Sequence, residues 1–246
     1  MLKRISIQAT SLPDTWFQLL YAAVKEGREF KIDRGSYAGQ VRLELDWVDA
    51  QITQPWLRDV EGLPLIPEMP EGNLNMPAPV TKDYIRDYAR YIMTDHKEKG
   101  EQYTYGERLR NALAPDVHLL GKGEKEWFHW LDQIDHIISI YKKHGPRNNQ
   151  MVLQVAQPSD LLLEDPPCLR HIDTRIQDDC LHFFPYFRSW DLWGGFPANV
   201  AGISMLQEYM ANEIGVDQGD MICSSKGLHI YGYAKDLAML RTHQLG

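Results

Sequence analysis

Apolar residues recur along the chain in blocks whose period switches between that of a helix and that of a strand. In PDTWFQLLYAAVKEG, residues 13 to 27, Trp16, Leu19, Leu20, Ala23 and Val24 share one stripe and a glycine suited to a C-cap closes it, which predicts a helix. QVRLELDWV alternates Val41, Leu43, Leu45 and Trp47 with polar residues, the pattern of a strand with one buried face. Six prolines between residues 55 and 81 exclude a continuous element there and predict a long surface excursion.

Two more stripes predict helices. One holds Tyr84, Ile85, Tyr88, Tyr91 and Ile92; the other, in EKEWFHWLDQIDHIISIYKKHG, holds Trp127, Trp130, Leu131, Ile134, Ile138 and Tyr141, and both read as core. NQMVLQVAQ reads as a strand, and HIDTRIQDDCLHFFPYFRS as two strands around a polar turn from Gln177 to Asp179. PANVAGISMLQEYMANEIG predicts a helix with Asn199 at its start and Gly215 as its stop. DMICSSKGLHIYGYA predicts the last strong strand, and KDLAMLRTH a short final helix. Mixed elements without a repeating βαβ rhythm favour an α+β architecture, expected as a single domain over residues 1–246.

Composition narrows the function. The 246 residues are 43% hydrophobic, enough for a sizeable core, and the formal net charge of -8 argues against a general nucleic-acid surface while leaving room for a local phosphate pocket. Apolar runs of about 18 residues are missing, as is the apolar core of a signal peptide, so neither a membrane partner nor secretion is expected. Three cysteines, without the density of a disulfide scaffold, agree with a reducing, cytoplasmic setting.

One cysteine stands out. In EDPPCLRHID, two prolines stiffen and extend the approach to Cys168, which suits a side chain that must be aimed; the plainer reading is a small buried hydrophobe. Downstream, Arg188 and Ser189 close a strand and offer a guanidinium fork and a hydroxyl to a phosphate, against the plainer reading of a surface ion pair. Asn199 has a donor and an acceptor on adjacent atoms and can read the amide edge of a base, although an asparagine at a helix start is more often a cap. His229 and Tyr231, two apart on a strand, share a face and can hold a sugar hydroxyl, or can simply be half-buried aromatics.

Taken in order, PPC, FRSWDLWGGFPANVAG and LHIYGYA resemble the nucleophile, the phosphate and pyrimidine segment, and the nucleoside-hydroxyl motif of the thymidylate synthase family. The resemblance is strongest over residues 165 to 233, with IDRGSYAG similar to the family's N-terminal phosphate loop, and its flavour is that of the shorter archaeal-type members. It implies a mixed twisted sheet flanked by helices, a homodimer, and dUMP and 5,10-methylenetetrahydrofolate as substrate and co-substrate, with no metal. By that resemblance Cys168 attacks pyrimidine C6, with Arg188 lowering its pKa and holding the phosphate together with Ser189, Arg34 and, from a second copy, Arg147. Asn199 binds the base, His229 and Tyr231 the 3'-hydroxyl, and Asp191 organises base and folate. Glu68 and Glu71 are candidates for the family's catalytic glutamate. Gly227 stands where members carry an acid, and the family's folate-closing tail has no counterpart after RTHQLG, so closure is expected from elsewhere.

Three other readings are weighed against this one. A pyrimidine hydroxymethylase of the same superfamily would capture the exocyclic carbon with water instead of hydride; Asn199 favours uracil over cytosine but does not choose between water and hydride. A nucleotide-binding protein without catalysis would have no need of an aimed Cys168. A metal site built on Cys168 with His171 and Cys180 with His182 lacks any zinc-like spacing.

Overall fold

The computed structural model describes residues 1–33, 37–68, 77–115 and 128–244. The first strand, β1 (Arg4–Ala9), leads into α1 (Leu12–Glu26), where Ser11 caps the start and Trp16, Leu19, Leu20 and Ala23 are buried at the predicted spacing. Gly27 closes it by close approach, not by a left-handed turn, since a Cβ there would lie 2.4 Å from the Ala23 carbonyl oxygen. After β2 (Arg28–Lys31), the single strand predicted around residue 45 is two: β3 (Val41–Leu45) and β4 (Trp47–Ile52). The alternation slips at Asp46. Leu43 and Leu45 are buried, then Val48, Ala50 and Ile52, so Trp47 leaves the buried face and stacks on Tyr186.

The described part of the proline-rich stretch has no helix or named strand, as predicted. Helix α2 (Lys82–Met93) follows, capped by Thr81, then α3 (Tyr105–Arg110) and β5 (Ala112–Pro115). On α2 only Ile85, Ala89 and Ile92 are buried; the tyrosines read as core stand at the edge of a cavity. The next predicted helix begins later than expected, because Asp132 is its N-cap. Residues before it form β6 (Phe128–Leu131), which pairs with β5 and leaves Trp130 67% exposed, and α4 is Gln133–His144.

Strand β7 (Val152–Gln154) and a 3-10 turn (Pro158–Leu162) precede the hairpin β8 (Leu169–Gln177) and β9 (Cys180–Phe187), whose turn residues Asp178 and Asp179 both have positive φ, near 55°. Then come β10 (Trp190–Asp191), α5 (Gly195–Ile214), β11 (Asp217–Ser225), β12 (Leu228–Tyr231) and α6 (Gly232–Arg241). The last predicted strand is thus also two, broken where Gly227 takes φ +71°. Asn199 is the fifth residue of α5 and not its cap.

Sheet order explains these breaks. A six-stranded mixed sheet runs β1-β4-β11-β9-β8-β7, and a four-stranded one β10-β12-β3-β2. Ser225 pairs with both Val48 and Phe187 in the first, while Leu228 pairs with Leu45 and Trp190 in the second. Three neighbouring strands therefore pass from one sheet to the other at the same level, at Asp46, at Arg188–Ser189 and at Lys226–Gly227. Helix α5, buried along most of its length, packs against α2, α4, α1, β9 and β11, which makes the architecture α+β with helices flanking mixed sheets.

Candidate active site

The seam between the two sheets gathers most of the singled-out residues. Cys168 directly precedes β8, and Arg188 follows β9, so the hairpin register brings them side by side: the Arg188 N–H donates to the Cys168 carbonyl at 2.8 Å. The Arg188 guanidinium turns back over the two prolines. Its Nε donates to the carbonyls of Pro166 and Pro167, both at 3.2 Å, and its Nη2 to Pro166 and to Asp165. From the other side Tyr103 donates to the Asp165 carbonyl, and Tyr105 accepts from the Leu169 N–H. The stiff approach inferred from two prolines is therefore clamped as well.

The Cys168 thiol is half-buried, and burial pushes its pKa up; Arg188 is the largest charge opposing that shift, with Arg170 and Arg42 adding to it. The expectation of a lowered thiol pKa is corrected: Arg188 acts in the expected direction, but desolvation outweighs it. Below this loop, Asp160, 1% exposed, accepts from Arg108 at 2.9 Å and lies 3.1 Å from Arg170, whose own guanidinium donates to the Pro167 carbonyl. A buried carboxylate bridging two partly buried arginines thus supports the Cys168 loop from inside.

Across the seam, His229 is 2% exposed and shares its strand register with Asp191. Its Nδ1 lies 2.9 Å from the Gly227 carbonyl, which accepts only if Nδ1 bears the proton, so Nε2 is left as an acceptor. Among the described residues Nε2 is buried without a partner. Burial holds the imidazole neutral, its pKa pushed down to about 4. Ser189 Oγ is 3.5 Å from Nδ1, at the limit of a hydrogen bond. Tyr231 lies edge-on to His229 at 4.6 Å and stacks on Tyr37 at 4.2 Å.

Asp191 has a structural task at this spot. Its carboxylate accepts from the backbone N–H groups of Trp193, Gly194 and Gly195, closing the loop before α5, and burial raises its pKa in spite of those three donors. It also lines a cleft of about 460 Å³ with Pro79, Val80, Tyr84 and Asn199. A second cleft of about 390 Å³, lined by Tyr84, Tyr88, Tyr91, Tyr105 and Asn199, shares two of those residues. Asn199 therefore stands where the clefts meet.

Arg147 is not brought to Cys168 by its own chain. It is exposed beside Arg175 and Asp178, at the far end of β8, roughly 25 Å away by strand rise. Arg34 and Glu71 lie outside the described residues, and Glu68 is exposed. Among the described residues no three His, Cys, Asp or Glu side chains gather as a metal site, and His182 Nδ1 accepts from the Asp220 N–H.

Several neighbours were invisible in the sequence. Strand β3 sets Arg42 opposite Tyr231 and Glu44 opposite His229, on the same sheet face, and Arg42 and Glu44 pair with each other. Tyr88 comes from α2, Tyr105 opens α3 and Tyr103 lies in the loop before it. The repeat Tyr84, Tyr88, Tyr91 was the available signal, since a helix needs only one such stripe for packing and Ile85, Ala89 and Ile92 already supply it.

This architecture is an α+β fold with a clamped thiol at the seam of two sheets. Residues 83–243, more than half of the chain, match the family model for thymidylate synthase, and the chain belongs to the thymidylate synthase family. Among curated relatives named "Putative thymidylate synthase", the protein of Methanosarcina barkeri is 26% identical over 231 residues, spanning 94% of this chain and 91% of the relative. That of Methanosarcina mazei is 27% identical over 233 residues with the same coverage. The Methanothermobacter thermautotrophicus protein is 25% identical over 228 residues, 92% of this chain and 93% of the relative.

Proposed function

We propose that the protein is a thymidylate synthase that converts dUMP to dTMP with 5,10-methylenetetrahydrofolate through a covalent adduct between Cys168 and pyrimidine C6. The observation that carries this reading is the clamped Cys168 lying beside Arg188, with the free Nε2 of His229 on the adjoining sheet.

Each residue then has a physical task. Cys168, as thiolate, adds to C6, and the electron pair moves to C5 and O4. C5 can then bond to the one-carbon unit as that carbon's bond to the donor nitrogen breaks, and the C5 proton is lost. Once hydride has reduced the carbon to methyl, the departing thiolate restores the C5–C6 double bond. Arg188 favours the thiolate and, with Ser189, faces the phosphate; Arg34 and a second copy's Arg147 complete that site. Asn199 holds the C4 carbonyl and N3 edge. His229 Nε2 accepts from the 3'-hydroxyl, with Tyr231 beside it. Asp191 keeps the loop before α5 closed, so that Asn199 faces both clefts. The apolar and tyrosine-lined walls of those clefts suit a flat bicyclic ring, and when bound there a reduced folate supplies the methylene carbon and then the hydride.

The second reading is a pyrimidine hydroxymethylase. The ring of tyrosines in the cleft of about 390 Å³ favours it, because hydroxyl-bearing side chains can hold a water where the exocyclic carbon forms. We assign the protein a homodimer packed through the large sheet face bearing Trp47, His171 and Tyr186, and a cytoplasmic setting in which its cysteines stay reduced.

The test incubates protein with dUMP and 5,10-methylenetetrahydrofolate while dihydrofolate absorbance and nucleotide product mass are followed together. Equal amounts of dTMP and dihydrofolate are expected. A hydroxymethyl product without dihydrofolate selects the second reading, and no product with dUMP still bound defeats both.

A further inference from the structure

Asn199 is held by two partners, Trp190 from its own motif and Tyr88 from α2. The Trp190 indole N–H donates to Asn199 Oδ1 at 2.7 Å, and Asn199 Nδ2 donates to the Tyr88 hydroxyl oxygen. An indole nitrogen is a donor and never an acceptor, so it decides which end of the amide must face it. A rotated amide would set an NH₂ against an N–H and leave the buried indole without a partner, a loss that buried polar groups do not recover elsewhere.

Trp190 cannot adjust to relieve such a clash. It is 3% exposed, its ring stacks on Phe187 at 3.8 Å with 6° between planes, and it lies 4.6 Å from Phe196. Tyr88 is also confined. Its ring covers Gly202 of α5 so closely that a Cβ there would sit 2.7 Å from the ring. Having accepted from Asn199, the Tyr88 hydroxyl keeps its own proton to donate. Burial raises its pKa well above the ordinary phenol value, so that proton is present at any physiological pH.

Tyr88 and Asn199 both line the cleft of about 390 Å³. Towards it the pair can present the second N–H of Asn199 and the O–H of Tyr88, two donors, while Asn199 Oδ1 keeps a lone pair. A pyrimidine with a 4-oxo group and an N3–H complements that set. A 4-amino pyrimidine brings N–H groups against donors, and the usual escape, turning the amide over, is closed by Trp190.

We propose that Trp190 is a specificity-determining positioning residue which, by locking the Asn199 amide and through it the Tyr88 hydroxyl, makes the site select 4-oxo over 4-amino pyrimidine nucleotides. The inference rests on the nucleotide-binding reading above and adds to it the device that sets base choice.

The test is equilibrium binding of dUMP, dCMP and deoxyribose 5-phosphate to the full chain, to Trp190→Phe and to Tyr88→Phe. Phenylalanine keeps an aromatic ring at 190 and removes the donor. The wild type should prefer dUMP over dCMP. Trp190→Phe should lower that preference about ten-fold or more, the scale of one unpaired buried polar group, with affinity for the sugar phosphate unchanged. Tyr88→Phe should weaken dUMP more than dCMP, and decides the matter if Trp190→Phe does not fold. A wild-type preference that both variants retain within about two-fold overturns the lock and leaves the dUMP reading standing. A wild type that binds both nucleotides equally overturns the lock as well, and one that binds neither defeats the nucleotide reading and the lock together.

Discussion

Arg188 is tied to Cys168 backbone to backbone, its N–H donating to the Cys168 carbonyl at 2.8 Å while its guanidinium grips the two prolines that precede the thiol. The cation that favours the thiolate also fixes where the sulfur sits. Charge and aim therefore cannot be separated at this position by sequence alone, but they can be by titration.

Alkylation of Cys168 by iodoacetamide, followed by mass spectrometry across pH, should inflect above the ordinary cysteine value of about 8.5, because burial raises the thiol pKa. Arg188→Leu removes the largest opposing charge, so the inflection should move further up and the rate at pH 8 should fall about ten-fold. Arg188→Lys should fall between. An inflection that does not move in Arg188→Leu would show that the guanidinium does not tune the thiol.

Asn199→Asp should shift binding preference from dUMP towards dCMP. A carboxylate still accepts the Trp190 N–H but no longer donates, and it can accept from a 4-amino group. Competition between the two nucleotides for the variant measures this, and an unaltered ratio would remove Asn199 from base recognition.

Asp160→Asn should destabilise the fold by about 2–4 kcal/mol, since it leaves the partly buried Arg108 and Arg170 without their carboxylate. Urea unfolding checks this. A loss below about 1 kcal/mol would mean that water reaches the pair and that the support beneath the Cys168 loop lies elsewhere.

His229 should make stability depend on pH in a defined window. Its pKa falls from near 6.5 in the unfolded chain to about 4 in the fold, so between those values the unfolded state binds the extra proton. Stability is then full above about pH 6.5 and is lost progressively as pH falls towards 4. His229→Gln should flatten that part of the profile in urea unfolding at a series of pH values; a slope identical to the wild type would mean that another group is responsible.

Much of the local structure was legible because it depends on neighbours a few residues apart. The α1 stripe, the β8–β9 hairpin around Asp178 and Asp179, and the Gly215 stop are set by periodicity, turn geometry and glycine's freedom. The motif residues Cys168, Arg188 and His229 were legible in the same way, through residue types at fixed spacing. Misreadings came where two signals coincided. Val41 to Trp47 keeps a strand's alternation across a change of sheet, and residues before Asp132 continue a helical stripe that the cap cuts short.

By itself, then, the chain's order of residues determined the elements, the aimed cysteine and the family to which it belongs. Only the tertiary structure decided that Arg188 clamps the approach to Cys168, that burial outweighs its charge on the thiol, and that Trp190 and Tyr88 hold Asn199. Arg188 and Cys168 are 20 residues apart in the chain, and Asn199 and Tyr88 are 111 apart. Periodicity tells a residue which face it shares with its near neighbours. Which partner waits on that face is settled by register across strands and by the packing of α2 on α5, where pairing and desolvation act between residues that no local pattern connects.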